Sequence, residues 1–189
     1  MNYGPKIVTN GLVLALDAAD KLSYPGSGTT WTDLSGNSNT GTLTNGPTFS
    51  ATNLGSILFD GTNDYVLSTN NTSLQINQGT VTSWIKTSTN DATYRGIVAK
   101  VYNYGYFLRN SFLVIYDWGN LAERSSGVNI ATGNWVNIAM TFTTNTGTPS
   151  NNVILYVNAR SVLTTTSKFS AETDPLILGT GDYLNPTDS

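Results

Sequence analysis

With 189 residues, 9 Lys or Arg against 12 Asp or Glu and a formal charge of −3, the chain has the length of one domain and no basic run to hold duplex nucleic acid or an anionic membrane. It contains no His and no Cys, which removes the commonest general base, the thiol nucleophile, disulfides and the usual zinc ligands together. Only 11% of the residues are charged; Thr, Asn, Ser and Gly dominate the rest, a composition that suits strand and turn better than helix.

In chain order, residues 1–10 (MNYGPKIVTN) lack the apolar core of an export signal, and no later segment approaches the roughly 20 apolar residues that span a bilayer. The expectation is a soluble protein without membrane insertion, in which the Asn70 and Asn71 sequons are chance. Residues 11–20 (GLVLALDAAD) and 56–66 (SILFDGTNDYV) each run apolar into an acidic turn. The second reads as a hairpin, because Asp60, Gly61, Thr62, Asn63 and Asp64 tolerate positive φ and fold back on the backbone. The long loop over residues 18–40 is anchored by Trp31 and Leu34, and the one helical turn expected lies near residues 71–76.

Further on, period-2 alternation takes over. In residues 135–143, Val136, Ile138, Met140 and Phe142 share one face and Asn137, Ala139, Thr141 and Thr143 the other, the pattern of a half-buried strand. Residues 81–86 and 153–158 alternate too, but with Trp84 or Tyr156 on the second face, which predicts inner strands covered outside by loops or neighbouring chains. Turn signals at short spacing separate these runs and point to a sandwich or barrel.

The segment 100–120 (KVYNYGYFLRNSFLVIYDWGN) carries the strongest binding signal. Tyr102, Tyr104 and Tyr106 read as one face of a strand, Arg109 opens the turn, and Tyr116 and Trp118 share a face on the return strand with Asp117 beside them. Aromatic rings with polar neighbours form a platform for pyranose C–H faces and hydroxyls. The same residues also suit cross-strand packing or a protein-docking face. Ca²⁺ is the one cofactor the loops could hold, through Asp60, Asn63, Asp64 and Asp182, with Asp33 and Asn37 nearby; Asx-turn capping is the competing role. Catalysis is not expected: a Ser–His–Asp triad is impossible and phosphate-loop glycine motifs are missing.

LVLALDAAD, WTDLSGNSNTG and FDGTNDYV, followed by TVTSWIKT, GIVAK, YFLR, GNWVNIAMTF and ILYVNA, resemble in order the strands of laminin-G-like, concanavalin A-like jelly rolls. The resemblance implies an all-β fold: a two-sheet antiparallel β-sandwich over residues 1–189, with almost no helix. It implies a non-catalytic binding or structural module, since the E-x-D-x-E strand of the related glucanases has no counterpart and only Glu123 and Glu172 are present. Modules similar to this one occur in tailed-phage virions as decoration, fibre or baseplate-associated proteins, so the expected partners are other virion or surface proteins, further copies of the chain, and host-surface glycan. A lectin-like module of a bacterial surface protein and a glycan-degrading enzyme are the alternatives. The resemblance also implies a closing strand after residues 175–179, paired with a strand at 12–17. That strand has no match, so either the chain is a piece of a longer polypeptide or a neighbour donates the strand. Asn158-Ala159 stands where the family tends to have Asn-Gly, which predicts a different turn type there.

Overall fold

Alternating apolar residues that bury one face of each strand force two sheets to pack face to face. The computed structural model of the protein describes residues 8–144, 151–169 and 174–180. Its larger sheet is built from β1 (Thr30–Trp31), β2 (Gly41–Thr44), β5 (Tyr65–Ser68), β7 (Arg95–Lys100), β8 (Gly105–Arg109), β9 (Phe112–Asp117), β10 (Ala122–Asn129) and β14 (Leu176–Leu178). Their spatial order is β1-β2-β5-β14-β7-β8-β9-β10, so the last described strand is inserted between β5 and β7. The second sheet runs β13 (Arg160–Ser167), β12 (Asn151–Val157), β11 (Trp135–Thr144), β6 (Gly79–Lys86), and β3 (Thr48–Ser50) pairs separately with β4 (Ser56–Leu58). All pairings are antiparallel. The expected all-β sandwich is therefore what the chain forms, and the helical turn near residue 71 is a short 3-10 turn, Thr72–Leu74, capped by the Asn71 side chain.

The core lies between the sheets. Ile138, Met140 and Phe142 of β11 and Val153 and Leu155 of β12 meet Tyr104, Tyr106, Leu108, Leu113 and Ile115 of the larger sheet. Tyr104 stacks on Phe142 with ring centroids 5.1 Å apart. The alternation read from residues 136–142 is thus a true inward face.

Four expectations are overturned. Residues 56–66 do not form a hairpin: β4 pairs with β3 while β5 pairs with β2 and β14, so the Asp60 to Asp64 turn joins different sheets. Turn chemistry sets the reversal but not the partner. Residues 12–17 form no sheet strand. Their backbone is held instead by side chains of the following loop. The Ala15 N–H donates to Asp33 Oδ1 (2.9 Å), the Leu34 N–H to the Ala15 carbonyl (2.9 Å), Asn39 Nδ2 to the Val13 carbonyl (2.6 Å) and Asn37 Nδ2 to the Leu12 carbonyl (2.9 Å). Strand β6, expected inside its sheet, is an edge strand with Trp84 66% exposed. Finally, Asn158 and Ala159 both take positive φ, 49° and 64°, and form the two-residue reversal between β12 and β13 despite the missing glycine. Asn158 recovers part of the cost by exchanging hydrogen bonds with the Asn137 backbone.

Candidate binding face

The segment 100–120 folds with a phase that its tyrosines alone conceal. Residues 100–104 are a turn, closed by the Lys100 N–H on the Tyr104 carbonyl (2.8 Å) and the Asn103 N–H on the Lys100 carbonyl (2.9 Å). Tyr102 sits at its tip with φ of 61° and is 51% exposed. Beyond the turn, even positions of β8 point inward. Tyr104 and Tyr106 are buried, donating through their hydroxyls to the Leu74 carbonyl (2.9 Å) and to Ser83 Oγ (3.0 Å). Burial pushes both phenols up, so they remain neutral at any ordinary pH. These two residues belong to the core and cannot meet a ligand, contrary to the expected platform.

Asp117 is also interior. It is fully buried and accepts from the Asn120 N–H and Nδ2 (3.1 and 2.8 Å), from the Lys168 N–H (3.2 Å) and from Arg124 Nη2 (3.5 Å). Every one of these contacts ties chain to chain, so its role is to join the end of β9 to the segment after β13.

The outward positions carry the remaining aromatics. Phe107 and Val114 form a buried floor, roofed by Tyr94, Tyr116 and Trp118. Trp118 contacts Phe107 edge-on at 5.9 Å, Tyr116 at 6.0 Å and Tyr102 at 6.4 Å, and Tyr116 continues to Tyr94 at 5.5 Å. The result is a continuous aromatic strip across the outer surface of β7, β8 and β9, offset and edge-to-face as ring quadrupoles prefer. At the Tyr94 end the Arg109 guanidinium lies 4.5 Å over the ring, donates to the Tyr94 hydroxyl (3.3 Å) and pairs with Glu123 Oε2 (2.8 Å). Burial, reinforced by Glu123, pushes the Tyr94 hydroxyl up to about 12. The strip therefore offers aromatic rings at one end and a charge-balanced Arg109–Glu123 pair at the other. Tyr94 and Phe107 were not singled out from the sequence. For Phe107 the signal is the odd-numbered alternation of residues 105–109, readable only once the 100–104 turn breaks the tyrosine series; Tyr94, just before β7, has no such signal.

The proposed calcium ligands that lie among the described residues are engaged in hydrogen bonds of the chain itself. Asp60 Oδ1 accepts from the Thr62 N–H (2.8 Å), and Asp64 Oδ2 from the Asp60 N–H (3.0 Å). The Asn63 carbonyl takes Asn45 Nδ2 (2.8 Å), while Asp33 and Asn37 serve the loop that holds residues 12–17. Asp182 lies outside the described residues. Among the described residues no three of His, Cys, Asp and Glu gather as a metal-holding group.

The carboxylates with displaced titration are held low. Burial raises Asp33, but four hydrogen bonds, from the Ala15, Ser35 and Asn39 N–H groups and the Ser35 hydroxyl, outweigh it. Asp91 is held low first by its hydrogen bonds from Arg95, at 2.6 Å for the closest.

A search of curated proteins finds no match to this chain. Among solved structures, a crystallised mutant of HCR/D is similar at 17% identity with a TM-score of 0.59, over 93% of this chain and 44% of that one. This chain thus spans less than half of that protein, and the likeness is one of fold. A family model described as the concanavalin A-like lectin/glucanases superfamily, of laminin-G type, matches residues 60–188. More than half of the sequence falls within that match and the strands form the sandwich it requires, so the chain belongs to the concanavalin A-like lectin/glucanase superfamily.

Proposed function

We propose that the chain is a non-catalytic binding module that takes neutral sugar through the outer aromatic strip of Tyr102, Trp118 and Tyr116. Laminin-G-like domains typically bind, although the wider superfamily includes glycosidases. The observation that carries the reading is Tyr102: a half-exposed phenol held in left-handed backbone at the tip of a turn, in ring contact with Trp118. Positive φ is unfavourable for a bulky residue, and here it sets an aromatic ring at the open end of a strip already roofed with rings. Host-surface attachment by a virion protein is the setting that the Thr- and Asn-rich, His- and Cys-free composition supports, with a bacterial surface lectin as the alternative setting.

The test is a glycan array with the intact chain. Trp118→Ala should abolish binding and Trp84→Ala, on the opposite sheet, should leave it intact. Loss in Trp84→Ala with retention in Trp118→Ala would place the site on the wrong sheet and end this reading. Co-sedimentation with phage particles separates the virion setting from the surface-lectin one.

A further inference from the structure

Lys100 closes β7 with its side chain fully buried, and among the described residues it is the one cation so placed. A lysine is almost never buried completely unless it is paired, yet among the described residues none of the ion pairs includes it. Its Nζ donates to two neutral oxygens instead: the Asp174 backbone carbonyl and Asn70 Oδ1, the latter at 3.4 Å. Burial holds the amine below the ordinary lysine range, opposed only by the field of the Asp174 carboxylate. A neutral amine is a nucleophile, and the carboxamide carbon of Asn70, an exposed residue whose Oδ1 meets the buried Nζ, is an electrophile beside it.

We propose that Lys100 and Asn70 condense into an intramolecular isopeptide bond. In its deprotonated form, Lys100 Nζ forms a bond through its lone pair to Asn70 Cγ. The Asp174 carboxylate accepts a proton from the attacking nitrogen and returns it to the leaving Nδ2. The Cγ–Nδ2 bond then breaks and ammonia departs. Amine plus carboxamide gives secondary amide plus ammonia, with no oxidant, reductant or co-reactant. The product replaces a buried basic group that lacks a carboxylate hydrogen-bond partner with a neutral secondary amide, whose single N–H needs only one acceptor, and the Asp174 carbonyl is at hand.

Topology gives the bond a mechanical purpose. Asn70 follows β5, Lys100 ends β7, and the strand between them in the sheet is β14, whose Leu176 pairs directly with Lys100. The amide would bridge the two strands that flank β14 and clamp this three-residue strand in place.

Intact mass spectrometry of the purified chain decides it. The expected mass is lower than that of the sequence by about 17 Da, one ammonia, and a digest should yield a branched peptide joining Lys100 to Asn70. Lys100→Met and Asn70→Ala should each show the full sequence mass. Asp174→Asn should form the bond more slowly after refolding; an unchanged rate would remove Asp174 from the proton transfer. Full sequence mass in the wild-type chain overturns the proposal. So does a loss of ammonia confined to a linear peptide, as a succinimide at Asn45-Gly46 would produce.

Discussion

Replacing Asp33 by alanine should be among the most damaging polar substitutions in this molecule. The residue is 8% exposed, and its two oxygens accept from the Ala15, Ser35 and Asn39 N–H groups and the Ser35 hydroxyl, all at 2.7 to 2.9 Å. Removing the carboxylate orphans these donors unequally. Asn39 is fully buried, so its N–H has no access to water and costs about 1–3 kcal/mol. Ala15 and Ser35 are half-buried and can be rehydrated, at a loss of roughly 0.5–1 kcal/mol each. The sum is about 2–5 kcal/mol, which for a domain of this size lowers the Tm by roughly 4–20 °C. The pH dependence supplies a second check. Hydrogen bonds hold the folded carboxyl below its ordinary value of 3.8. Its contribution is therefore complete above the unfolded pKa and is lost as pH falls through the folded one. Thermal melts of wild type and Asp33→Ala, followed by tryptophan fluorescence from about pH 6 down to about pH 3, should converge as the pH falls. A variant melting within about 2 °C of wild type at neutral pH, or a gap that stays constant with pH, would refute the reasoning.

Two further substitutions test the backbone. Ala159→Gly should stabilise the chain by about 0.5–1 kcal/mol, since Ala159 pays for a φ of 64° that glycine adopts freely; denaturant unfolding showing no gain would mean the strain is absent. Gly105→Ala should destabilise by about 2 kcal/mol or more, because the added Cβ would lie 2.6 Å from the Val98 carbonyl oxygen and 2.9 Å from Ala99 Cα, both backbone atoms that can move only by breaking the β7–β8 pairing. A melt unchanged by that substitution would show the two strands lie farther apart.

The parts of the fold visible in the sequence are those decided by one strand and one core face. Val136, Ile138, Met140 and Phe142 announce β11 because alternate burial is a property of the strand itself. Pairing partners are decided elsewhere in the chain, which is why the acidic turn at Asp60 to Asp64 suggested a hairpin that β3, β2 and β14 prevent. Trp84 misled for a similar reason. An indole on the second face of a strand means burial in an inner strand but exposure at an edge, and local sequence does not say which. Of Asp33, Ser35, Asn37 and Asn39, the sequence marks only Asp33 and Asn37, and only as a supply of oxygen ligands. Their actual partners are the backbone of residues 12–15, 18 or more positions away, where side chains stand in for the missing neighbour strand.

The turn at residues 100–104 ties the candidate site to the proposed covalent bond. Its hydrogen bonds reverse the chain within a few residues, so Lys100 is drawn inward at one end while Tyr102 is thrown outward at the tip and Tyr104 returns to the core. A tyrosine series that continued as strand would have kept residues 102, 104 and 106 on one face; the turn splits it and leaves only Tyr102 for a ligand. Anchoring Lys100 to Asn70 fixes the base of this turn against β5, and a fixed base is what holds Tyr102 beside Trp118 in an otherwise unfavourable conformation. Lys100→Met should then weaken sugar binding even though residue 100 touches no ligand. The loss should appear in faster dissociation rather than in the aromatic contacts themselves, because the cost lies in ordering the Tyr102 ring at each encounter. Unchanged dissociation in a folded Lys100→Met chain would separate the two sites and leave the turn as a structural element alone.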